Sequence, residues 1–179
     1  RGSFGSFFFY RHDKIGEKEK SMRRKDREIK TPEKIEEIIN HCKTIRIGML
    51  EDQAVHIVPV NFGYKREGDK FAFYIHSAKK GHKVDVWEKN PRIAFEMAHE
   101  IGLNPGPKGC DYGYFYQSVI GQGEIVLLKE PIQKEKALNQ IMLHQTGRFC
   151  EFTEKNLETV NVYEIAVTDI IGKACLPKE

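Results

Sequence analysis

The sequence predicts a mainly β domain, a small closed or partly closed barrel of six or so antiparallel strands with a few peripheral helices. Three observations predict it. Runs rich in β-branched and aromatic residues recur at strand length, several are joined by breaks short enough for hairpins, and the helical stretches are inserted singly, without the strand–helix rhythm of a parallel sheet. A doubly wound nucleotide-binding fold is excluded by the same pattern. No GxGxxG follows a strand, and Gly121-Gln122-Gly123 lies inside one.

Each element has its own justification. TPEKIEEIINHC, from Thr31 to Cys42, offers an N-cap, a proline at the first helical position, an early Glu33 and a face of Ile35, Ile38, Ile39 and Cys42, so it reads as an amphipathic helix. KTIRIGML, AVHIVPVNFGY and FAFYIHS come next as strands, separated by the turn-rich breaks EDQ and KREGDK. Pro59 cannot donate a ladder hydrogen bond, which puts its strand at an edge, at a bulge or against a ligand. KGHKVDVWEKN is a short helix closed by Asn90 and Pro91, with Val84 and Trp87 on one side. PRIAFEMAHE is the fourth strand, IGLNPGPKGCDYG a long loop, and YFYQSVIGQGEIVLLK a long fifth strand. In that strand Gly121 and Gly123 mark either a bend or a close backbone approach. EPIQKEKALNQIMLHQTG supplies a helix with Ala137, Ile141 and His144 in one stripe, and VNVYEIAVTDIIGKACL closes the domain as a strand.

Composition bounds the function. A chain of 179 residues, 40% hydrophobic and 31% charged, suits one soluble globular domain, and its formal charge of +3 is far too small for a nucleic-acid partner. A helical membrane span is excluded, since no run of 18 apolar residues exists. Cys42, Cys110, Cys150 and Cys175 are scattered without metal-ligand spacing, which reads as reduced thiols, mostly core filler, of a cytoplasmic protein. No metal is expected. Residues 1–21 differ in texture from the chain beyond Met22 and read as an expression leader or a disordered arm whose Phe7, Phe8, Phe9 and Tyr10 could dock on a partner, with the functional domain spanning 22–179.

The stretch YIHSAKKGHK, 74–83, carries the chemistry. An apolar strand runs into Ser77, a glycine, two histidines and three lysines, and then into a helix. Phosphate groups are held by several donors at once, including lysines, a hydroxyl and the free amides of a helix start. Lys79, Lys80, His82 and Lys83 are electrostatically wrong for a helix N-terminus unless an anion is bound there. Solvated turn lysines are the plain alternative. His56 lies in a largely apolar strand, where alternation sets His56, Val58 and Val60 on one face and Val55, Ile57 and Pro59 on the other. It is either a hydrogen-bonded core histidine or a ligand-facing one beside His76 of a partner strand. No nucleophile elbow, HExxH or Walker loop is present, and no residue stands out for proton transfer, so a bound cofactor is the simplest source of reactivity.

MRRKDREI, HIVPVNFGY, FYIHSAKKGHKVDVWEKNPRIAFEM, CDYGYFYQSVIGQGEIVLL and IMLHQTG, in that order, resemble the pyridoxamine 5'-phosphate oxidase-related family and, within it, the 5-nitroimidazole-resistance type. The resemblance covers Met22 to Leu176. It implies an FMN-binding split β-barrel, a homodimer with flavin sites at its interface, Gly81, His82 and Lys83 at the flavin phosphate, and His56, Ile57, Val58, Ile75, His76 and Ser77 along the ring and ribityl chain, with Ser118 nearby. His82 stands where many relatives carry arginine, and Gln117 interrupts their YRSV. The chain ends in DIIGKACLPKE, without the basic segment of true pyridoxamine phosphate oxidases, so the implied activity is reduction of nitroaromatic, quinone-like or other small electron acceptors. A non-enzymatic flavin-binding or haem-binding protein is the alternative.

Overall fold

The computed structural model describes residues 23–177, so the expected leader or arm lies outside the described residues. In chain order the elements are β1 (Glu28–Ile29), α1 (Pro32–His41), β2 (Thr44–Glu51), β3 (Ala54–Asn61), β4 (Gly63–Glu67), β5 (Lys70–Ser77), α2 (His82–Lys89), β6 (Arg92–Asn104), β7 (Gly113–Leu128), α3 (Pro131–Thr146), α4 (Glu154–Thr159) and β8 (Asn161–Cys175). The expected barrel does not form. All the ladders are antiparallel and belong to one sheet, in the order β3-β2-β6-β7-β8-β5-β4 with β1 also on β8, and no ladder joins β3 to β4. The result is an open eight-stranded sheet with helices packed against it.

The reason for the open path lies at Phe62. AVHIVPVNFGY, expected as one strand, breaks there into two. β3 pairs only with β2, while β4 pairs with β5, so one sequence run supplies both ends of the sheet. Both ends carry protection against further pairing: β3 contains the donorless Pro59, and β4 is five residues long with Lys65, Arg66 and Glu67. Of the three placements open to the Pro59 strand, the edge is the one the structure has.

The core follows the sequence patterns closely. Ile35, Ile38 and Ile39 of α1 and Cys42 just beyond it are buried, as are Ile45, Ile47 and Met49 of β2 and Phe71, Phe73 and Ile75 of β5. Phe73 is the hub. Its ring meets Phe62 at 5.6 Å and Phe95 at 5.1 Å, both edge-on. A smaller cluster joins Ala137, Leu138 and Ile141 of α3 to Leu157 and Val162. His144, in the expected α3 stripe, is structural. Its Nε2 donates to the Cys42 carbonyl at 2.7 Å, its ring tilts against Phe62, and burial holds its pKa below the ordinary histidine value.

Two expectations need revision beyond the barrel. The loop expected for 101–113 is shorter than its composition suggests: β6 runs on to Asn104 across a bulge at Glu100/Gly102 and pairs with the start of β7, leaving 105–112 between them. The cysteines are all free, yet only Cys42 is buried and Cys110 is exposed, so core filling describes one of the four. At Gly121 the close approach is real. An added Cβ would fall 2.3 Å from the Phe95 ring and 2.4 Å from the Asp169 carbonyl oxygen, while a register shift at Gln122/Gly123 supplies the bend as well.

Candidate functional site

The end of β5 and the start of α2 form the expected turn. Ser77 is buried, and its hydroxyl donates to the Ala78 carbonyl at 2.6 Å. Gly81 caps α2 with φ +142°, a backbone region that side chains disfavour, and nothing stands where its Cβ would be. The amides of Val84 and Asp85 already donate to the Gly81 carbonyl. The N–H groups of His82 and Lys83 are therefore the free amides of this helix start. Among the described residues, Lys79, Lys80 and Lys83 form no ion pair. Although much of His76 faces solvent, desolvation of its ring, with the charge of Lys83 second, lowers its pKa and favours the neutral imidazole.

His82 behaves differently. Its Nε2 lies 3.3 Å from Glu51 Oε2, and the same oxygen is 3.5 Å from His56 Nε2, with the two imidazoles edge-to-face at 4.7 Å. The chain thus supplies one of the anions that the basic helix start demanded. Sequence reading missed Glu51, which lay in a stretch treated only as a hairpin break. The signal was present in strand alternation: Met49 pairs with His56, so Glu51 is diagonal to His56 on the same face, the one that buries Met49 and lies beside Val58 and Val60.

The remaining predicted residues divide sharply. Val58 packs against the core from the same face as His56, whereas Ile57 is 65% exposed on the opposite face and Ile75 is completely buried. His56 and His76 do not come from paired strands, because β3 and β5 have no common ladder; that expectation failed with the break at Phe62. Ser118 is also remote within one chain. It pairs with Lys173 of β8 while Ser77 pairs with Asn161, twelve residues along the same strand, or roughly 40 Å of extended chain. A cleft of about 390 Å³, lined by residues including Tyr64, Arg66 and His144, lies elsewhere, between α1, β4 and α3.

An open antiparallel sheet, with helices packed against it and a glycine-capped helix start at the end of β5, defines a mainly β protein. The chain belongs to the pyridoxamine 5'-phosphate oxidase family, whose model matches residues 31–174. Among solved structures it is similar to a candidate 5-nitroimidazole antibiotic resistance protein from Bacteroides thetaiotaomicron, at 24% identity and a TM-score of 0.71, over 82% of this chain and 85% of that one. It is also similar to the flavocytochrome Anf3 from Azotobacter vinelandii, at 17% identity and a TM-score of 0.73, over 88% and 73%. A third likeness is to the FAD and haem binding protein from Mycobacterium smegmatis, at 13% identity and a TM-score of 0.71, over 86% and 76%. These likenesses carry the fold. No curated protein matches the chain.

The residues fit the phosphate of a flavin mononucleotide in part. Gly81, the two free amides and Lys83 present donors, with no carboxylate of the described residues competing for Lys83, while the His82 side chain is turned to Glu51. No helix of the described residues is long and apolar enough to cross a membrane, which leaves strand-built spans untouched.

Proposed function

We propose that the protein is an FMN-dependent oxidoreductase that reduces nitroaromatic, quinone-like or other small acceptors. The observation that carries this reading is the β5–α2 junction, where Lys83, without an acidic partner among the described residues, stands with two free amides behind a glycine at φ +142°. Bound FMN would supply the electron transfer. The chain's own residues then have simple roles: Lys83 and the amides of His82 and Lys83 hold the phosphate, Gly81 lets it approach, and the backbone near Ile75 to Ser77 flanks the rest.

A second copy of the chain completes the reading. Among the described residues, β7 beyond the Tyr116–Cys175 pair is bonded only to β6, so Gly102–Asn104 and Gly113–Phe115 form a two-stranded ribbon that bears the exposed Leu103 and Tyr114, with the exposed Ile101 and Tyr112 beside it. Such a ribbon is marginal in water and gains from a partner surface. A homodimer would also let Ser118 of one protomer reach the phosphate end of the other, which one chain cannot do. Sedimentation should give twice the monomer mass, and a monomer at micromolar concentration would remove the shared-pocket part of the proposal.

The chemistry is tested separately. Protein reconstituted with FMN and reduced without oxygen should be reoxidised by a nitroaromatic or a quinone faster than the same concentration of free reduced FMN. Flavin binding without acceleration would leave a flavin-binding protein and reject the reductase. A Soret band on the purified protein would favour the haem-binding alternative instead.

A further inference from the structure

We propose that Glu51, His56 and His82 form a binding site for a divalent transition-metal ion, with zinc the natural occupant. One ligand atom from each residue can be chosen so that all three lie within 4.8 Å of one another. The separations about the carboxylate match coordination better than direct hydrogen bonding. Imidazole–carboxylate hydrogen bonds are about 2.7–2.9 Å long when charge-assisted. Ligands about 2.0–2.2 Å from a tetrahedral zinc stand about 3.3–3.6 Å apart. Glu51 Oε2 is 3.3 Å from His82 Nε2 and 3.5 Å from His56 Nε2, and neither contact is a hydrogen bond.

The three ligands come from the end of β2, the inner face of β3 and the first turn of α2. This explains why cysteine and histidine spacing along the chain gave no sign of a metal. Two imidazoles and a carboxylate suit zinc, cobalt or nickel over magnesium or calcium, which prefer oxygen. The His82 side chain is 57% exposed, so an ion has a way in and a fourth position faces solvent. One charged competitor is present. Lys89 Nζ lies 4.0 Å from the other carboxylate oxygen, Oε1, and leaves Oε2 to the imidazoles.

The site does not depend on flavin. Zinc titrated calorimetrically into the metal-stripped full-length protein, before any FMN is added, should bind at one ion per chain, and cobalt in its place should give the intense visible bands of a four-coordinate centre. Glu51→Gln, His56→Ala and His82→Ala should each weaken binding more than about 100-fold, because even residues that only support a ligand are worth 10- to 100-fold. Lys89→Ala should tighten it by up to about fivefold, a gain that damage to the fold could not produce. His41→Ala, at a histidine stacked on His99 elsewhere, should change nothing. Absence of stoichiometric binding, or binding that survives Glu51→Gln and His82→Ala together, would overturn the proposal whatever the protein does with FMN.

Discussion

Replacing Phe73 with alanine should destabilise the fold by about 3–5 kcal/mol, the range for removing a fully buried aromatic side chain. Phe73 has no exposed surface and stands between Phe62, at the break where the two terminal strands separate, and Phe95 of β6. Its removal leaves a cavity between β5, β6 and the β3–β4 junction. The open sheet makes this loss harder to absorb, since no ladder ties β3 to β4 and the two strands are related by packing on the shared core, to which Phe62, Phe73 and Phe95 belong. Thermal unfolding at fixed protein concentration should fall by roughly 6–20 °C for a chain of this size. Ile132→Ala, at a position 58% exposed, serves as the comparison and should stay within about 1 kcal/mol of wild type. A Phe73 variant as stable as the Ile132 variant would show that the core does not turn on this contact.

The parts of the fold legible in the sequence are those governed by local periodicity. Ile35, Ile38 and Ile39 announce the buried face of α1 at helical spacing, and the alternation through His56, Val58 and Val60 separates the two faces of β3 as the structure has them. Proline chemistry was equally readable, because Pro59 has no N–H wherever its strand lies. What local pattern could not carry was partner choice. Phe62 looks like one more apolar residue in a strand, and nothing beside it says that the chain leaves one ladder there and enters another at the opposite end of the sheet. The glycine- and proline-rich stretch misled for a related reason: Ile101–Asn104 extends β6 by pairing across a bulge, a non-local ladder that turn-forming composition conceals. The candidate site divides along the same line. Ser77, Gly81 and Lys83 are neighbours in sequence and their grouping was visible, whereas Glu51 joins His82 only after a hairpin and a helix have been packed together.

Lys83→Ala should weaken FMN about 10- to 150-fold, while riboflavin binds variant and wild type almost equally. The magnitude is that of one charge-assisted hydrogen bond, about 1.5–3 kcal/mol. Lys83 is the residue for this test because its charge has no acidic partner among the described residues and already reaches His76, whose pKa it helps to lower. Lys79 and Lys80 offer the contrast. Both are exposed in the turn before Gly81, and alanine at either should cost little if they are solvated. His82→Ala bears on the same site through a different route, since its imidazole faces Glu51 and its backbone amide survives the substitution. It should therefore cost FMN less than Lys83→Ala does. The riboflavin arm separates phosphate recognition from damage to the pocket: riboflavin lacks the phosphate, so a lysine that acts only on that group is invisible to it. Equal losses for FMN and riboflavin would show that Lys83 supports the turn rather than the phosphate, and would shift the anion site to the amides of α2 alone.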